Sequence, residues 1–341
     1  MAASGPRNLI TDVAGIRVGH AEDRAGMTGT TVILAEAPAI AAVDVRGGAP
    51  GSRETELLAP GNLVERVDAI VLSGGSAFGL DAAGGVMGAL AEAGRGFAVR
   101  DVRVPIVPAA IVFDLAFPGR REWTGAPPYR RLGRLATGRA ATDFALGNAG
   151  AGRGAKAGAL KGGIGSASLR LEDGTVGGGT IGAIVVVNSW GAVVRPDCGR
   201  LWAAEFALPG EIPTQPDLPA APLDLEDFSA CAAPVIGANT TIAVVATDCA
   251  LDRNACRRLA IMAQDGIARA IRPAHTPFDG DTVFALATGT GPNIDPARLT
   301  RLGSAAADCL ARAVMRAVVE ASQLGGYPDW REKWGKRVRR R

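Results

Sequence analysis

The scarcity of histidine limits the catalytic chemistry that this chain could perform. Its 341 residues contain two histidines, His20 and His275, and a Ser-His-Asp triad would need one of them as its base. The best-placed serine is Ser76, between a predicted strand and a predicted helix. However, Phe78 stands where a G-x-S-x-G nucleophile elbow requires its second glycine. We therefore interpret this segment as a tight structural connection.

Hydroxyl chemistry without histidine needs a different base. A threonine at the start of a chain can use its own α-amine, whose reference pKa of ~7.7–8.0 suits a base near neutral pH. The residues Asn239-Thr240-Thr241 lie directly before a predicted strand. Cleavage of the Asn239–Thr240 bond would make Thr240 such a nucleophile. The same residues also fit an ordinary strand start, and they form a formal glycosylation sequon. The pattern alone therefore leaves open whether Thr240 is a nucleophile or has only a structural role.

The other polar patterns do not predict a metal or nucleotide site. His275 lies near Asp279 and Asp281, but no H-E-x-x-H pattern accompanies them, and the five cysteines include no C-x-x-C pair. The glycine-rich stretch 150–154 does not match a phosphate-binding loop. We therefore expect no metal and no cofactor. Unpaired cysteines and the lack of a secretory signal favour a reducing, cytoplasmic location.

Composition and charge are those of an ordinary globular protein, with 48% hydrophobic and 21% charged residues. The net charge of +3 is uneven, because residues 330–341 hold seven Lys/Arg and one Glu. We interpret this basic tail as a solvated terminus and expect no nucleic-acid partner. No apolar run reaches ~18 residues, so we expect no membrane partner.

Short β-branched runs alternate with longer helical patterns, which predicts a layered α/β protein. The predicted strands are Thr30–Leu34, Ala69–Leu72, Gly182–Val187 and Thr241–Ala246. The predicted helices are Ser76–Ala93, Asp252–Ile271 and Ala305–Leu324. Between them, Leu208–Leu225 has five prolines in eighteen residues, which is typical of an extended loop.

Motifs spread over nearly the whole chain resemble those of the DmpA-like self-processing aminopeptidases. That family includes β-peptidyl aminopeptidases, D-amino-acid esterase/amidases and nylon-oligomer hydrolases. The stretches that carry the resemblance are Ile10–Val13, Gly15–His20, Asp44–Gly51, Leu72–Asp81, Val104–Ala110, Lys161–Ser168 (KGGIGSAS), Val187-Asn188, Asn239-Thr240-Thr241 and Pro277–Thr282 (PFDGDT). The resemblance implies an αββα sandwich of the N-terminal-nucleophile type, shared with the ornithine acetyltransferases.

The resemblance also implies how the chain works. A single catalytic domain, residues 1–341, would cleave itself into a large chain, 1–239, and a small chain, 240–341. The product would be an amidase or aminopeptidase that acts on a small amide or peptide, and it would assemble as a homo-oligomer, often a tetramer. The main alternative is an acyltransferase of the ornithine acetyltransferase type, which passes the acyl group to an amine instead of water.

Five residues take site roles through the resemblance. Thr240 matches the nucleophile, Asn188 the oxyanion donor, and Lys161 an active-site lysine of the nylon-hydrolase branch. Asp279 and Asp281 match an acidic pair that orients the threonine, with the substrate's ammonium as a second candidate partner. Without the resemblance, we would interpret Lys161 as a loop lysine, Asn188 as a strand end and the aspartates as a turn.

One departure from the family pattern concerns a tyrosine. Several relatives use a tyrosine from the middle of the large chain as a further oxyanion donor. This sequence contains only Tyr129 and Tyr327, and Tyr129 does not align with that residue. The second donor is therefore left unassigned.

Overall fold

The computed structural model describes residues 3–120, 123, 125–172, 178–232, 239–290 and 294–335. The strands are β1 (Ile16–Asp23), β2 (Thr28–Val45), β3 (Ser52–Arg53), β4 (Arg66–Ser73), β5 (Phe97–Val99), β6 (Val102–Val104), β7 (Ala109–Ile111), β8 (Lys156–Ala157), β9 (Leu160–Lys161), β10 (Gly163–Leu171), β11 (Gly179–Asn188), β12 (Thr240–Thr247) and β13 (Thr282–Ala287). The α-helices are α1 (Ala82–Glu92), α2 (Tyr129–Gly138), α3 (Arg253–Ala270), α4 (Pro296–Val319) and α5 (Trp330–Lys333). Short 3-10 helices span Ile10–Asp12, Glu56–Leu58, Ser76–Asp81, Gly150–Gly152 and Ala204–Phe206.

The long strand β2 connects two halves of one mixed sheet. The strand order is β10-β11-β12-β13-β2-β4-β7-β3, and β1 also pairs with β2. The first part of β2 pairs with β1 and β4, and the last part pairs with β13. Its pairing with β4 shifts register between Leu34 and Ala39. A bulge of this kind bends a strand, so β2 can contribute to two packed layers.

Side-chain alternation along the strands defines four layers. On β11, Val185 and Val187 join the core under α3 and α4, while Ile184 and Val186 face a different core. On β4, the residues around Ile70 face that same central core, and the alternate residues pack under α1 and α2. Because successive strand residues point to opposite faces, the layers stack as helix, sheet, sheet and helix.

The predicted strands and helices are present, but several bounds were wrong. Predicted helix Ala305–Leu324 begins earlier, at Pro296, because Asp295 caps it by accepting the Arg298 N–H at 2.8 Å. It also ends earlier, at Val319. Predicted helix Ser76–Ala93 starts as a 3-10 turn and becomes α-helical at Ala82. The proline-rich stretch 208–225 contains no helix or strand, as predicted.

The start of the predicted solvated tail is instead packed into the protein. Trp330 is buried on α5 and its indole N–H donates to the Gly199 carbonyl at 2.9 Å. Trp334 is also buried and packs directly on Gly199. The two indoles bury apolar surface that a solvated tail would leave exposed, which is why this part of the prediction was wrong. The remaining basic residues, 336–341, lie outside the described residues.

Among the described residues, no helix has the length and apolar character needed to cross a membrane.

Candidate active site

Thr240 is the first residue of β12 and lies beside the last residue of β11, Asn188. The two strands are antiparallel, and Thr240 and Asn188 are direct partners in the register. Both side chains are buried, with Thr240 only 2% exposed. Strand alternation directs both toward the core between the two sheets, like Val186 and Ile242 before and after them. The sheet register therefore brings two predicted site residues together.

The hydroxyl of Thr240 lies against the peptide bond that is predicted to be cut. It contacts the carbonyl oxygen of Asn239 as a hydrogen-bond donor. The Gly280 N–H donates to the same carbonyl at 3.1 Å. A Cβ on residue 280 would lie 2.8 Å from the Thr240 Oγ1 and 2.6 Å from the Ala49 oxygen, so this position accepts only glycine without displacement. The carbonyl is thus polarised by a fixed backbone donor.

Asp279 and Asp281 flank Gly280, and each carboxylate is held by donors of the protein. Asp279 accepts the Trp190 N–H at 3.0 Å and the Thr276 hydroxyl at 2.5 Å. Asp281 accepts the Thr241 N–H at 2.7 Å through one oxygen. Both aspartates are at most 2% exposed. Asp281 thereby holds the start of β12, and Asp279 holds the backbone at Trp190.

His275 supplies the remaining contacts of Asp281. The backbone N–H of His275 donates to the Asp281 Oδ2 at 3.0 Å, and the ring Nδ1 lies 2.9 Å from the same oxygen. Because a carboxylate only accepts, this contact fixes the proton on Nδ1. Burial raises the pKa of Asp279, and the nearby charge of Asp281 raises it further.

The carboxamide of Asn188 is fixed in orientation. Its Oδ1 accepts the backbone N–H of Lys156 at 3.1 Å, and its Nδ2 donates to the Phe113 carbonyl at 3.2 Å. Asn188 also lines a small pocket together with Phe113, Phe117, Lys156 and Tyr327. An amide donor held at the wall of a pocket has the geometry to stabilise a developing oxyanion.

Lys161 is fully buried and donates to backbone carbonyls only a few residues away. Its Nζ lies 2.9 Å from the Gly152 oxygen, 2.8 Å from Ala155 and 2.7 Å from Gly162. Burial lowers the pKa of Lys161 to about 7, with a further contribution from the charge of Arg153. Two of the three carbonyls, those of Gly152 and Ala155, lie in the segment before Lys156, whose N–H holds Asn188. Lys161 therefore acts on Asn188 through this segment, and all three of its N–H donors are used by backbone carbonyls.

Sequence reasoning missed several residues that hold this site together. Trp190, Thr276 and His275 anchor the two aspartates, and the Lys156 backbone anchors Asn188. His275 had been considered only as a triad or metal residue. The one sequence signal for its actual contact was its position six residues before Asp281.

The two tyrosines occupy different environments. Tyr129 lies on α2, fully buried, with its hydroxyl 3.4 Å from the Thr28 Oγ1. Tyr327 stacks on Phe117 and lines the pocket that contains Asn188. Of the two, Tyr327 is therefore the better placed for a role near the oxyanion donor.

The alternative catalytic residues have structural environments. Burial lowers the pKa of His20 to about 4, and its Nδ1 lies 2.9 Å from the Thr31 Oγ1. Ser76 follows Gly75 in a left-handed turn, with φ values of 51° and 90°. This is the tight connection that the sequence predicts. Within the described ranges, no group of three or more His, Cys, Asp or Glu side chains could hold a metal ion.

Most of the chain is similar in sequence to known proteins. Residues 8–331 match the model of peptidase family S58. An uncharacterized aminopeptidase of Mycobacterium tuberculosis is 48% identical, over 95% of this chain and 97% of that protein. A 6-aminohexanoate-oligomer endohydrolase of Kocuria sp. is 34% identical, over 92% of this chain and 87% of that protein.

Solved structures share the fold. A Burkholderia sp. beta-aminopeptidase superimposes with a TM-score of 0.71 at 24% identity, over 97% of this chain and 92% of that one. The L-aminopeptidase D-Ala-esterase/amidase of Ochrobactrum anthropi, described as a variant of the Ntn-hydrolase fold, gives 0.69 at 22% identity, over 97% and 91%. These matches confirm the predicted αββα architecture and the family resemblance. The chain belongs to peptidase family S58.

Proposed function

We propose that this protein is a self-processing amide hydrolase in which Thr240 becomes an N-terminal nucleophile. One observation carries the proposal: the Thr240 hydroxyl and the Gly280 N–H both contact the carbonyl of Asn239. Nucleophile, scissile carbonyl and oxyanion donor are therefore already assembled around one peptide bond. Membership of a peptidase family and the name aminopeptidase given to a relative at 48% identity support the same chemistry.

The processing step would be an acyl shift within the chain. The Thr240 Oγ1 attacks the Asn239 carbonyl carbon, and the oxyanion is stabilised by the Gly280 N–H. The C–N bond then breaks, the Thr240 nitrogen takes up the hydroxyl proton, and an ester joins residues 239 and 240. Water hydrolyses this ester and leaves a carboxylate on Asn239 and a free amine on Thr240.

Hydrolysis of a substrate would reuse the same hydroxyl. The freed Thr240 amine accepts the proton of Oγ1 as the hydroxyl attacks the substrate amide, and the Asn188 amide donates to the tetrahedral oxyanion. The leaving amine departs with that proton, and water hydrolyses the acyl-enzyme ester. Asp281 holds the strand start through the Thr241 N–H, which keeps the nucleophile aligned while the new terminus is free.

The two chains would stay together after cleavage as one catalytic unit. Strands β12 and β13 follow the cleaved bond, but β12 pairs with β11 and β13 pairs with β2, both of which precede it. The small chain, 240–341, therefore contributes the central strands of the sheet. Separating it from 1–239 would expose the cores on both faces of that sheet.

Small amides are the proposed substrate class. Relatives carry names that include aminopeptidase and 6-aminohexanoate-oligomer endohydrolase, so aminoacyl amides, short peptides and linear polyamide oligomers are the compounds to test. Hydrolysis is proposed over acyl transfer to an amine because the curated relatives with named activities are hydrolases.

Processing can be tested directly by denaturing mass spectrometry. Wild-type protein should give two chains, the smaller beginning Thr-Thr-Ile-Ala, whereas Thr240→Ala should remain one chain of 34.8 kDa. Thr240→Ser should retain some cleavage, and Thr241→Ala is a matched control that should process normally. Wild-type protein that hydrolyses amides while remaining a single chain would rule the proposal out.

We also propose that the protein forms a homo-oligomer. The hairpin of β5 and β6 lies outside the main sheet, and its four apolar side chains, Phe97, Val99, Val102 and Val104, are each 40–56% exposed. An apolar patch of this kind is typical of a subunit contact. The native mass in solution tests this, and a monomer at micromolar concentration would contradict it.

A further inference from the structure

Lys156 is a half-buried lysine in the pocket next to Asn188. Its backbone N–H holds the Asn188 carboxamide at 3.1 Å, and the residue itself lines the pocket. Among the described residues, no carboxylate oxygen lies within 4.0 Å of its Nζ. Burial lowers the pKa of Lys156, and no neighbouring charge contributes noticeably to offset it. A partly desolvated ammonium without an acidic partner favours binding of an anion.

The one acidic residue of the same pocket, Asp114, is already engaged. Its carboxylate accepts the Thr28 hydroxyl at 2.6 Å and the Gly75 N–H at 2.8 Å, and the residue is 1% exposed. Asp114 therefore anchors two turns of the fold. Its carboxylate is held by these two donors and forms no ion pair with Lys156 within 4.0 Å.

The rest of the pocket wall is apolar. The rings of Phe117 and Tyr327 stack with centroids 5.5 Å apart, and Phe113 and Ala116 complete this wall. The pocket is narrow, with about 20 Å³ accessible to a water-sized group, so it has room for a small charged end but not for a hydrocarbon chain. Apolar walls with a few polar groups at fixed places are typical of sites that select small molecules.

We propose that Lys156 selects amide substrates that carry a free carboxylate, which its ammonium binds while Asn188 faces the reacting carbonyl. This inference rests on the proposed function. It assigns the specificity of the site to a side chain outside the five predicted catalytic residues. The carboxylate could lie on the leaving amine, as at the end of a peptide or oligomer, or on the acyl part, as in a glutamyl side chain.

Two matched substrate pairs test the inference and distinguish these sources. The first pair is a linear dimer of an ω-amino acid and its C-terminal carboxamide, and the second is glutamyl and glutaminyl p-nitroanilide. In one of the two pairs, wild-type protein should hydrolyse the substrate with the carboxylate at a kcat/KM about 5- to 10-fold higher than its carboxamide counterpart, mainly through a lower KM. The difference is modest because a partly exposed ion pair contributes modestly to binding. The preference should decrease with added salt.

Three variants complete the test. Lys156→Met should remove the preference, and Lys156→Arg should retain it because the charge is kept. Lys333→Met is a matched control on the exposed face of α5 and should behave as wild type. Equal kcat/KM values within both pairs for wild type, or a preference that survives in Lys156→Met, would overturn the inference. Failure of the proposed function itself looks different, because the chain would then be uncut and hydrolyse neither pair.

Discussion

The two sides of Asn188 are built in different ways. On one side, Thr240, Asp279 and Asp281 lie at the ends of sheet strands, and the protein supplies a donor to every carboxylate oxygen. On the other side, Lys156 begins the short strand β8, which lies outside the main sheet, and Tyr327 lies in the segment between α4 and α5; both line a pocket. The comparison suggests that the main sheet fixes the reacting groups, while substrate selection, as proposed for Lys156, depends on segments outside it.

The largest effect should come from Gly280→Ala, which adds a single carbon on the side of Asn188 where Thr240, Asp279 and Asp281 lie at the strand ends. Gly280→Ala places a Cβ 2.8 Å from the Thr240 Oγ1 and 2.6 Å from the Ala49 oxygen, so the hydroxyl or the backbone donor must move. Loss of an aligned oxyanion donor typically costs ~100-fold or more in rate. We expect Gly280→Ala to accumulate as the uncut chain, which a time course by denaturing gel measures.

The control for this variant is Gly88→Ala on α1, where an added Cβ meets nothing within 4 Å. It should process at the wild-type rate and be slightly more stable, since alanine favours helix. Circular dichroism should show both variants folded. Normal cleavage in folded Gly280→Ala would contradict the role assigned to this backbone donor.

A smaller effect should distinguish the two aspartates. Asp281→Asn keeps one oxygen for the Thr241 N–H but turns an amide NH₂ toward the two donors of His275. We expect a loss of roughly 10- to 100-fold in kcat, with a stability cost of ~1–3 kcal/mol for the unsatisfied donors. Initial rates with an aminoacyl amide and thermal melts measure the two quantities separately.

Asp279→Asn is the matched comparison, and it should lose less activity. Its partner Thr276 is a hydroxyl, which can rotate to accept from the new NH₂. Burial also raises the pKa of Asp279, so its surroundings already disfavour the charged form that this variant removes. Equal losses in the two variants would show that the network does not distinguish between them.

The sequence predicted the strand-end side better than the pocket side. Strand β12 follows from an apolar run of neighbouring residues, whereas Asp279 and Asp281 were assigned through the family resemblance of the motif Pro277–Thr282. The contacts that hold the site residues in place do not follow from the neighbouring sequence. Trp190 and Asp279 are 89 positions apart, and Lys156 and Asn188 are 32 positions apart. Such pairings depend on the register of the whole sheet, which local patterns do not specify.

The same reasoning explains the errors in the fold. Apolar periodicity identified the middle of α4, but its start depends on the cap at Asp295, which the apolar pattern does not include. The basic composition of the terminus suggested a solvated tail, although its two tryptophans find partners more than a hundred residues away, around Gly199. Local composition reports charge, whereas burial depends on tertiary partners.

Lys161 lies between the two sides and should give the smallest effect, one that appears only as a pH dependence of stability. Burial lowers its pKa from 10.5 to about 7 in the folded protein. Between these values the unfolded chain binds more protons than the folded one, so the contribution of Lys161 to stability rises with pH from about 7 to 10 and is constant below that window. Compared with Lys161→Met, the lysine protein should therefore gain stability as pH increases, by at most ~1.4 kcal/mol per pH unit.

Urea unfolding at pH 6, 7, 8 and 9 would measure this difference. Both proteins should carry Thr240→Ala, because a single uncut chain keeps the unfolding transition closest to two-state. A difference that does not change with pH would mean that the carbonyls of Gly152, Ala155 and Gly162 stabilise the ammonium enough to offset its burial. In that case Lys161 would keep a full positive charge at neutral pH, buried 5.6 Å from the centre of the Phe117 ring that lines the pocket.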